Sequence, residues 1–326
     1  EGFRSTGGDF WAPHPERFPN GLEPLVQAAR AEGMRFGLWF GPDSAQDFAH
    51  FDTDADTILD FYHKYGIEYI KIDGVKLRTK TGERNLRQFF EKVMHKAKGS
   101  VVIDNDVTAE VRPGYFGMIG AGPVFVENRY TDFQRYWPHA TLRNLWKLAS
   151  HVDPVRLRME WLNHARNTDK YVGDPLAPLN YRPDYLFATV MFSSPLGWFE
   201  VQNLPESYFE DAAPLIAVWK QHREAIFSGT IIPLGEAPDG TAWTGFASVA
   251  PDRRSAYILL FRELNYRVLF STNLPLLPLA VENGMTEPMR GELLGGEGVL
   301  ALSPGGYLEA VIDDPQRFLF ARVELP

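Results

Sequence analysis

The first two-thirds of the chain alternate short apolar runs with amphipathic stretches. Asn20–Glu32 carries Leu22, Leu25, Val26 and Ala29 at helical spacing and stops at Gly33. Met34–Phe40 reads as a buried strand closed by Gly41-Pro42-Asp43. Thr53–Tyr65 is the next helix, stopped by Gly66, and Ile67–Ile72 the next strand, ending at Asp73-Gly74. Asn85–Ala97 predicts a third amphipathic helix, followed by the strand Val101–Ile103 and then Asp104-Asn105-Asp106. Pro123–Val126 predicts a strand that leads into Glu127-Asn128-Arg129. Phe133–Ala149 reads as a helix interrupted early by Pro138. Val155–Met159 reads as a strand before Glu160, Tyr185–Phe192 as the last strand of the series, although its sequence also suits a helix, and Glu206–Phe227 as a long closing helix. After Gly229 the pattern changes. Short apolar runs at Thr230–Leu234, Ala256–Phe261 and Phe318–Val323 alternate with turn signals such as Pro238-Asp239-Gly240.

Strands alternating with helices imply a parallel sheet, which can be doubly wound or closed into a barrel. One feature favours the barrel. Asp43, Asp73, Asp104, Asp106, Glu127 and Glu160 each follow a strand signal. In a barrel those strand ends converge on one mouth, where such enzymes keep their chemistry. The expected fold is therefore a (β/α)8 TIM-type barrel over residues 1–228, followed by a small antiparallel β-sandwich over 229–326. About six strand–helix units, rather than eight, fit a chain that starts after the barrel's first strands. Glu1-Gly-Phe-Arg, without an initiating Met, fits a region excised from a longer protein.

Composition narrows the function. The chain carries a net charge of -9 with both signs interspersed, which argues against nucleic-acid or anionic-membrane partners. No apolar run approaches the roughly 18 residues of a membrane span. The absence of cysteine removes disulfides and thiolate metal sites and assigns no compartment. No phosphate-binding glycine loop or zinc-spaced histidine set is present, so no cofactor and no metal are assigned. Aromatic residues make up 13% of the chain, with 8 Trp, and the C–H faces of a sugar stack well on such rings. Core packing accounts for such an aromatic content as well, so the composition is compatible with a carbohydrate partner, and with an oligomer, without singling either out.

Three segments resemble the melibiase family, the retaining α-galactosidases and their relatives. Arg17-Phe-Pro-Asn-Gly-Leu22 leading to Gly33-Met-Arg-Phe-Gly-Leu-Trp39 is similar to that family's "KFP-GL" helix entry and "GM-FGLW" strand. Tyr69-Ile-Lys-Ile-Asp73 is similar to its "YIKWD" strand. Ala217-Val-Trp-Lys-Gln-His-Arg223 through Gly229 is similar to its closing helix. The resemblance implies that Met34–Phe40 is barrel strand 3, Ile67–Ile72 strand 4, Val101–Ile103 strand 5 and Pro123–Val126 strand 6. It implies a retaining glycoside hydrolase acting on α-linked sugars, with Asp73 as the nucleophile.

Such an enzyme needs two carboxyl groups about 5 Å apart across the scissile bond. Lys71 lies two residues before Asp73, on the same face of the strand, and an ammonium there favours the ionised carboxylate. The resemblance implies that the acid/base falls in Val126-Glu127-Asn128-Arg129-Tyr130-Thr131-Asp132, where the family carries a "W-SD" or "R-x-x-x-D" pattern; counting from the strand end favours Glu127 or puts Asn128 in the slot, and the family's Arg-to-Asp spacing favours Asp132. Both stay open. The resemblance further implies substrate-binding roles for Arg112, Asp9, Trp11 and Trp39, with Asp43, Lys71 and Arg129 as further contacts at the mouth. The family's "CSSGG-R" loop is replaced by Asn105-Asp-Val-Thr-Ala-Glu-Val-Arg112, which leaves the sugar's identity open. Two rival readings stand beside this one. Asp104 and Asp106 form a DxD pair that could hold a metal in a metal-dependent barrel enzyme. A barrel that binds sugar without cleaving it also fits.

Overall fold

The computed structural model describes residues 11–108, 120–126, 135–197, 204–274 and 285–325. The chain divides into two compact units, Glu1–Val126 and Glu127–Pro326.

The first unit places helices against a parallel sheet. Helix α1 (Glu23–Ala31) begins with Pro24 in its first turn, where a missing N–H costs nothing. Strand β1 (Gly37–Phe40) leads to α2 (Phe51–Tyr65), which ends at Gly66 in the left-handed conformation that glycine adopts without penalty. Strand β2 (Tyr69–Ile72) leads to α3 (Lys80–Lys96), whose N-terminus is capped by the Thr79 hydroxyl accepting from the Gly82 N–H at 2.9 Å. Strands β3 (Val102–Asp106) and β4 (Val124–Phe125) complete the order β1-β2-β3-β4, all parallel. The core is built from alternate strand positions, Phe40, Ile70, Ile72 and Ile103, packed with Ile58, Phe89 and Val93 of the helices. Side chains alternate across a strand, so the intervening residues face away from the helices.

The second unit opens with α4 (Pro138–Leu148), then β5 (Leu157–Trp161), α5 (Pro183–Ala188), the parallel partner β6 (Ser194–Gly197) and α6 (Glu206–Ser228). The antiparallel strands begin at Thr230. They are β7 (Thr230–Gly235), β8 (Trp243–Val249), β9 (Ser255–Arg262), β10 (Leu269–Asn273), β11 (Met289–Arg290), β12 (Glu292–Gly296), β13 (Val299–Leu302), β14 (Tyr307–Val311) and β15 (Arg317–Glu324). They form one sheet in the order β12-β15-β9-β8-β7 and another in the order β10-β14-β13-β11. Ile258, Leu260 and Leu319 from the first sheet and Leu300, Leu308 and Ala310 from the second share one core, as expected of a sandwich.

Two expectations are corrected. Tyr185–Phe192 is not a strand. Pro183 starts the short helix α5 there, and the strand follows at Ser194. Helix α5 lies between α6 and the antiparallel sheet, with Phe187 edge-on to Trp219 and Tyr185 edge-on to Phe261. A helix buried on every side shows no amphipathic period and reads like a buried strand. Strand β3 also runs on through Asp104, Asn105 and Asp106, where the apolar pattern ended at Ile103. Among the described residues four parallel strands lie in the first unit and two in the second, so a closed eight-stranded barrel is not seen in this chain. No helix of the described residues is long and apolar enough to cross a membrane.

Candidate active site

The face of β1–β3 turned away from the helices is where polar groups gather. It carries Trp39 from β1, Tyr69 and Lys71 from β2 with Asp73 just beyond, and Asp104 and Asp106 from β3. The parallel register sets Trp39 beside Lys71, and Lys71 beside Asp104. Side-chain contacts then run diagonally, each reaching two positions further along the next strand. Trp39 Nε1 donates to Asp73 Oδ2 at 3.2 Å, and Lys71 Nζ donates to Asp106 Oδ2 at 3.0 Å. Tyr69 donates its phenolic proton to Asp104 Oδ2. Together they are three polar rungs across three strands.

Asp73 sits at the open end of this ladder. Its N–H donates to the carbonyl of Phe40 at 3.1 Å, which extends the β1–β2 pairing one residue and holds the side chain at the sheet's rim. Its Oδ1 accepts the Gly74 N–H at 2.6 Å, and its Oδ2 lies 3.6 Å from the Lys71 ammonium. The carboxyl is therefore oriented from several directions yet stays partly exposed, with 29% of the side chain open to solvent. Beside it, Trp39 is exposed, and Trp11 packs against it with ring centroids 6.1 Å apart while stacking on Phe40. The Lys71 ammonium also lies 5.3 Å from the centre of the Phe125 ring, near enough for a cation–π contact.

Of the expected residues, Asp73, Lys71, Trp39 and Trp11 are thus brought together. Asp43 is engaged elsewhere. It is buried, its N–H donates to Asp54 Oδ2 at 2.8 Å and its Oδ1 accepts from the Ala45 N–H at 2.9 Å. Burial pushes the Asp54 carboxyl up to about 6, against the help of the Asp43 N–H. Asp9, Arg112, Glu127, Arg129 and Asp132 lie outside the described residues. Tyr69 was not singled out from sequence, although its place two residues before Lys71 marks the same face. The DxD carboxylates are also engaged within the ladder. Asp104 accepts from Tyr69, and Asp106 accepts from Lys71 and, through Oδ1, from the N–H and hydroxyl of Thr108 at 2.9 and 2.6 Å. Among the described residues no group of three or more His, Cys, Asp or Glu side chains could hold a metal ion.

A carboxylate of this kind, partly open, oriented by donors and flanked by an ammonium and an aromatic surface, can attack an electrophilic carbon of a polyhydroxylated ligand. Comparison with known proteins bears on the fold. No family model matches the chain. A stretch of 41 residues, 10% of this chain and 6% of the relative, is 46% identical to α-galactosidase C of Emericella nidulans. Among solved structures, the GH36 α-galactosidase AgaA of Geobacillus stearothermophilus, a variant in complex with raffinose, superposes with a TM-score of 0.71 at 15% identity. That match covers 100% of this chain and 49% of AgaA. AgaB of the same organism gives 0.69 at 16% identity, with 100% and 49% covered. An Anoxybacillus α-amylase gives 0.60 at 10% identity, covering 94% of this chain and 79% of its own. The chain spans about half the length of the galactosidases it matches, and over that span its fold is that of the GH36 α-galactosidases.

Proposed function

We propose that the protein is a retaining exo-glycoside hydrolase of the α-galactosidase type. The parallel strands belong to a (β/α) barrel carried by residues 1–228, and residues 229–326 are an accessory β-sandwich. Asp73 attacks the anomeric carbon of an α-linked sugar, and the bond to the leaving oxygen breaks as Asp132 or Glu127 gives that oxygen a proton. The product is a β-linked glycosyl ester on Asp73. Water then attacks the same carbon while the second carboxylate takes its proton. Asp73 leaves and the sugar departs with its original configuration. Trp39 and Trp11 offer the apolar face of the sugar a surface, and Lys71 holds Asp73 ionised.

The observation that carries this reading is the setting of Asp73. It stands at the end of a parallel strand, on the polar face, with an indole N–H at 3.2 Å and an ammonium at 3.6 Å. The likeness in fold to galactosidases crystallised with raffinose and with 1-deoxygalactonojirimycin supports an α-galactoside as substrate. The reading is tested by following hydrolysis of 4-nitrophenyl α-galactoside by proton NMR. The first sugar released should be the α-anomer, which then mutarotates. First release of the β-anomer would exclude a glycosyl-Asp73 intermediate. Binding of galactose without turnover would make the protein a sugar-binding module.

A further inference from the structure

Lys71 stands between two carboxylates and is not shared equally. Its Nζ lies 3.0 Å from Asp106 Oδ2 and 3.6 Å from Asp73 Oδ2, so only the first contact has hydrogen-bond length. Asp106 is also the more firmly held. Thr108 donates both its N–H and its hydroxyl to Oδ1, which turns Oδ2 toward the ammonium. Its side chain is 6% exposed against 29% for Asp73, and an ion pair strengthens as water is excluded from it.

Resting on the reading of Asp73 as nucleophile, we infer that Asp106 is a positioning residue that holds the Lys71 ammonium away from Asp73. At 3.6 Å the ammonium favours the ionised carboxylate through its charge. In a direct charge-assisted hydrogen bond of about 2.8 Å it would also engage the lone pair that has to attack carbon. Asp106 separates the two effects. Two other groups that meet the Asp73 carboxylate, the Trp39 indole from β1 and the Gly74 N–H, do not change charge with pH. Asp104, held by Tyr69, faces the same side from β3. With the charge of Asp106 removed, the ammonium closes on Asp73.

The test compares wild type with Asp106→Asn, which keeps an acceptor for Thr108. The acidic limb of kcat/KM on 4-nitrophenyl α-galactoside should move down by roughly half to one pH unit as the ammonium approaches. Labelling by an α-galacto-configured cyclitol epoxide should slow roughly tenfold at the pH optimum, with the adduct still on Asp73. Loss of a merely structural contact would lower the amount of active enzyme and leave the limb in place. Thr108→Val, which removes only the hydroxyl donor, should shift the limb the same way by less, and carries the test alone if the Asn variant does not fold. An unmoved limb and a labelling rate within twofold of wild type, with Asp73 labelled, would overturn the inference while leaving the nucleophile in place. Wild type labelled at another residue would instead overturn the proposed function, and the inference with it.

Discussion

At the scale of single residues, charge and burial work in opposite directions at two carboxylates. Asp73 keeps part of its side chain in water, accepts from the Trp39 indole and the Gly74 N–H and has an ammonium beside it, an arrangement that suits an ionised carboxylate. Asp54 is buried at the start of α2, and desolvation raises its carboxyl to about 6 from an ordinary 3.8. A carboxyl whose folded value is raised binds its proton more tightly in the folded state. Its contribution to stability is therefore full below about pH 3.8 and is lost as pH rises through about 6. The rise from 3.8 to about 6 corresponds to a loss of about 3 kcal/mol by neutral pH. Asp54→Asn keeps an acceptor for the Asp43 N–H and removes the charge. It should raise unfolding free energy at pH 7 by about 1–3 kcal/mol and have little effect at pH 4. Urea denaturation at the two pH values measures this, and equal changes at both would contradict it. Asp73 and Lys71 were legible in the sequence because strand alternation puts them on one face. Asp54 was not, since a helical Asp reveals neither its burial nor its partner.

At the scale of elements, the loop after β1 departs from ordinary backbone. Gln46, Asp47 and Phe48 have φ of 50°, 59° and 60°, a left-handed turn in three consecutive non-glycine residues. Each such residue costs about 1 kcal/mol or more. The turn is held by α3 and its cap. Thr79 Oγ1 donates to Asp47 Oδ1 at 2.7 Å, Asn85 Nδ2 donates to the Asp47 carbonyl at 2.8 Å, and Phe48 is buried. Gln46 makes no such anchoring contact and is exposed. Gln46→Gly should therefore stabilise the protein by about 0.5–1 kcal/mol, visible as a raised melting temperature. A lowered one would mean that the turn is not left-handed at this position. The sequence offers no glycine or asparagine to announce such a turn at residue 46, so it was invisible there. The strands flanking it were plain, because Phe36–Phe40 is an apolar run and Ile70 and Ile72 alternate with Tyr69 and Lys71. Helix α5 was misread for the opposite reason: every side chain from Tyr185 to Ala188 is buried, and the period vanished.

At the scale of the whole molecule, the change from helix-linked parallel strands to antiparallel ones near Gly229 was readable from the spacing of turn signals. So was the resemblance to α-galactosidases, carried by short motifs around Trp39, Asp73 and Trp219. The diagonal ladder Trp39–Asp73, Lys71–Asp106, Tyr69–Asp104 was not. It depends on register between strands more than thirty residues apart in sequence, which no local pattern encodes. The ladder ties the resemblance to chemistry, since it ends on the one carboxylate to which the nucleophile's role is assigned. The most direct measurement is covalent labelling with an α-galacto-configured cyclitol epoxide followed by peptide mapping. The account predicts one adduct, on Asp73, and no labelling of Asp73→Asn. Turnover of an α-galactoside by a protein whose Asp73 stays unmodified, with the adduct on another carboxylate, would contradict it.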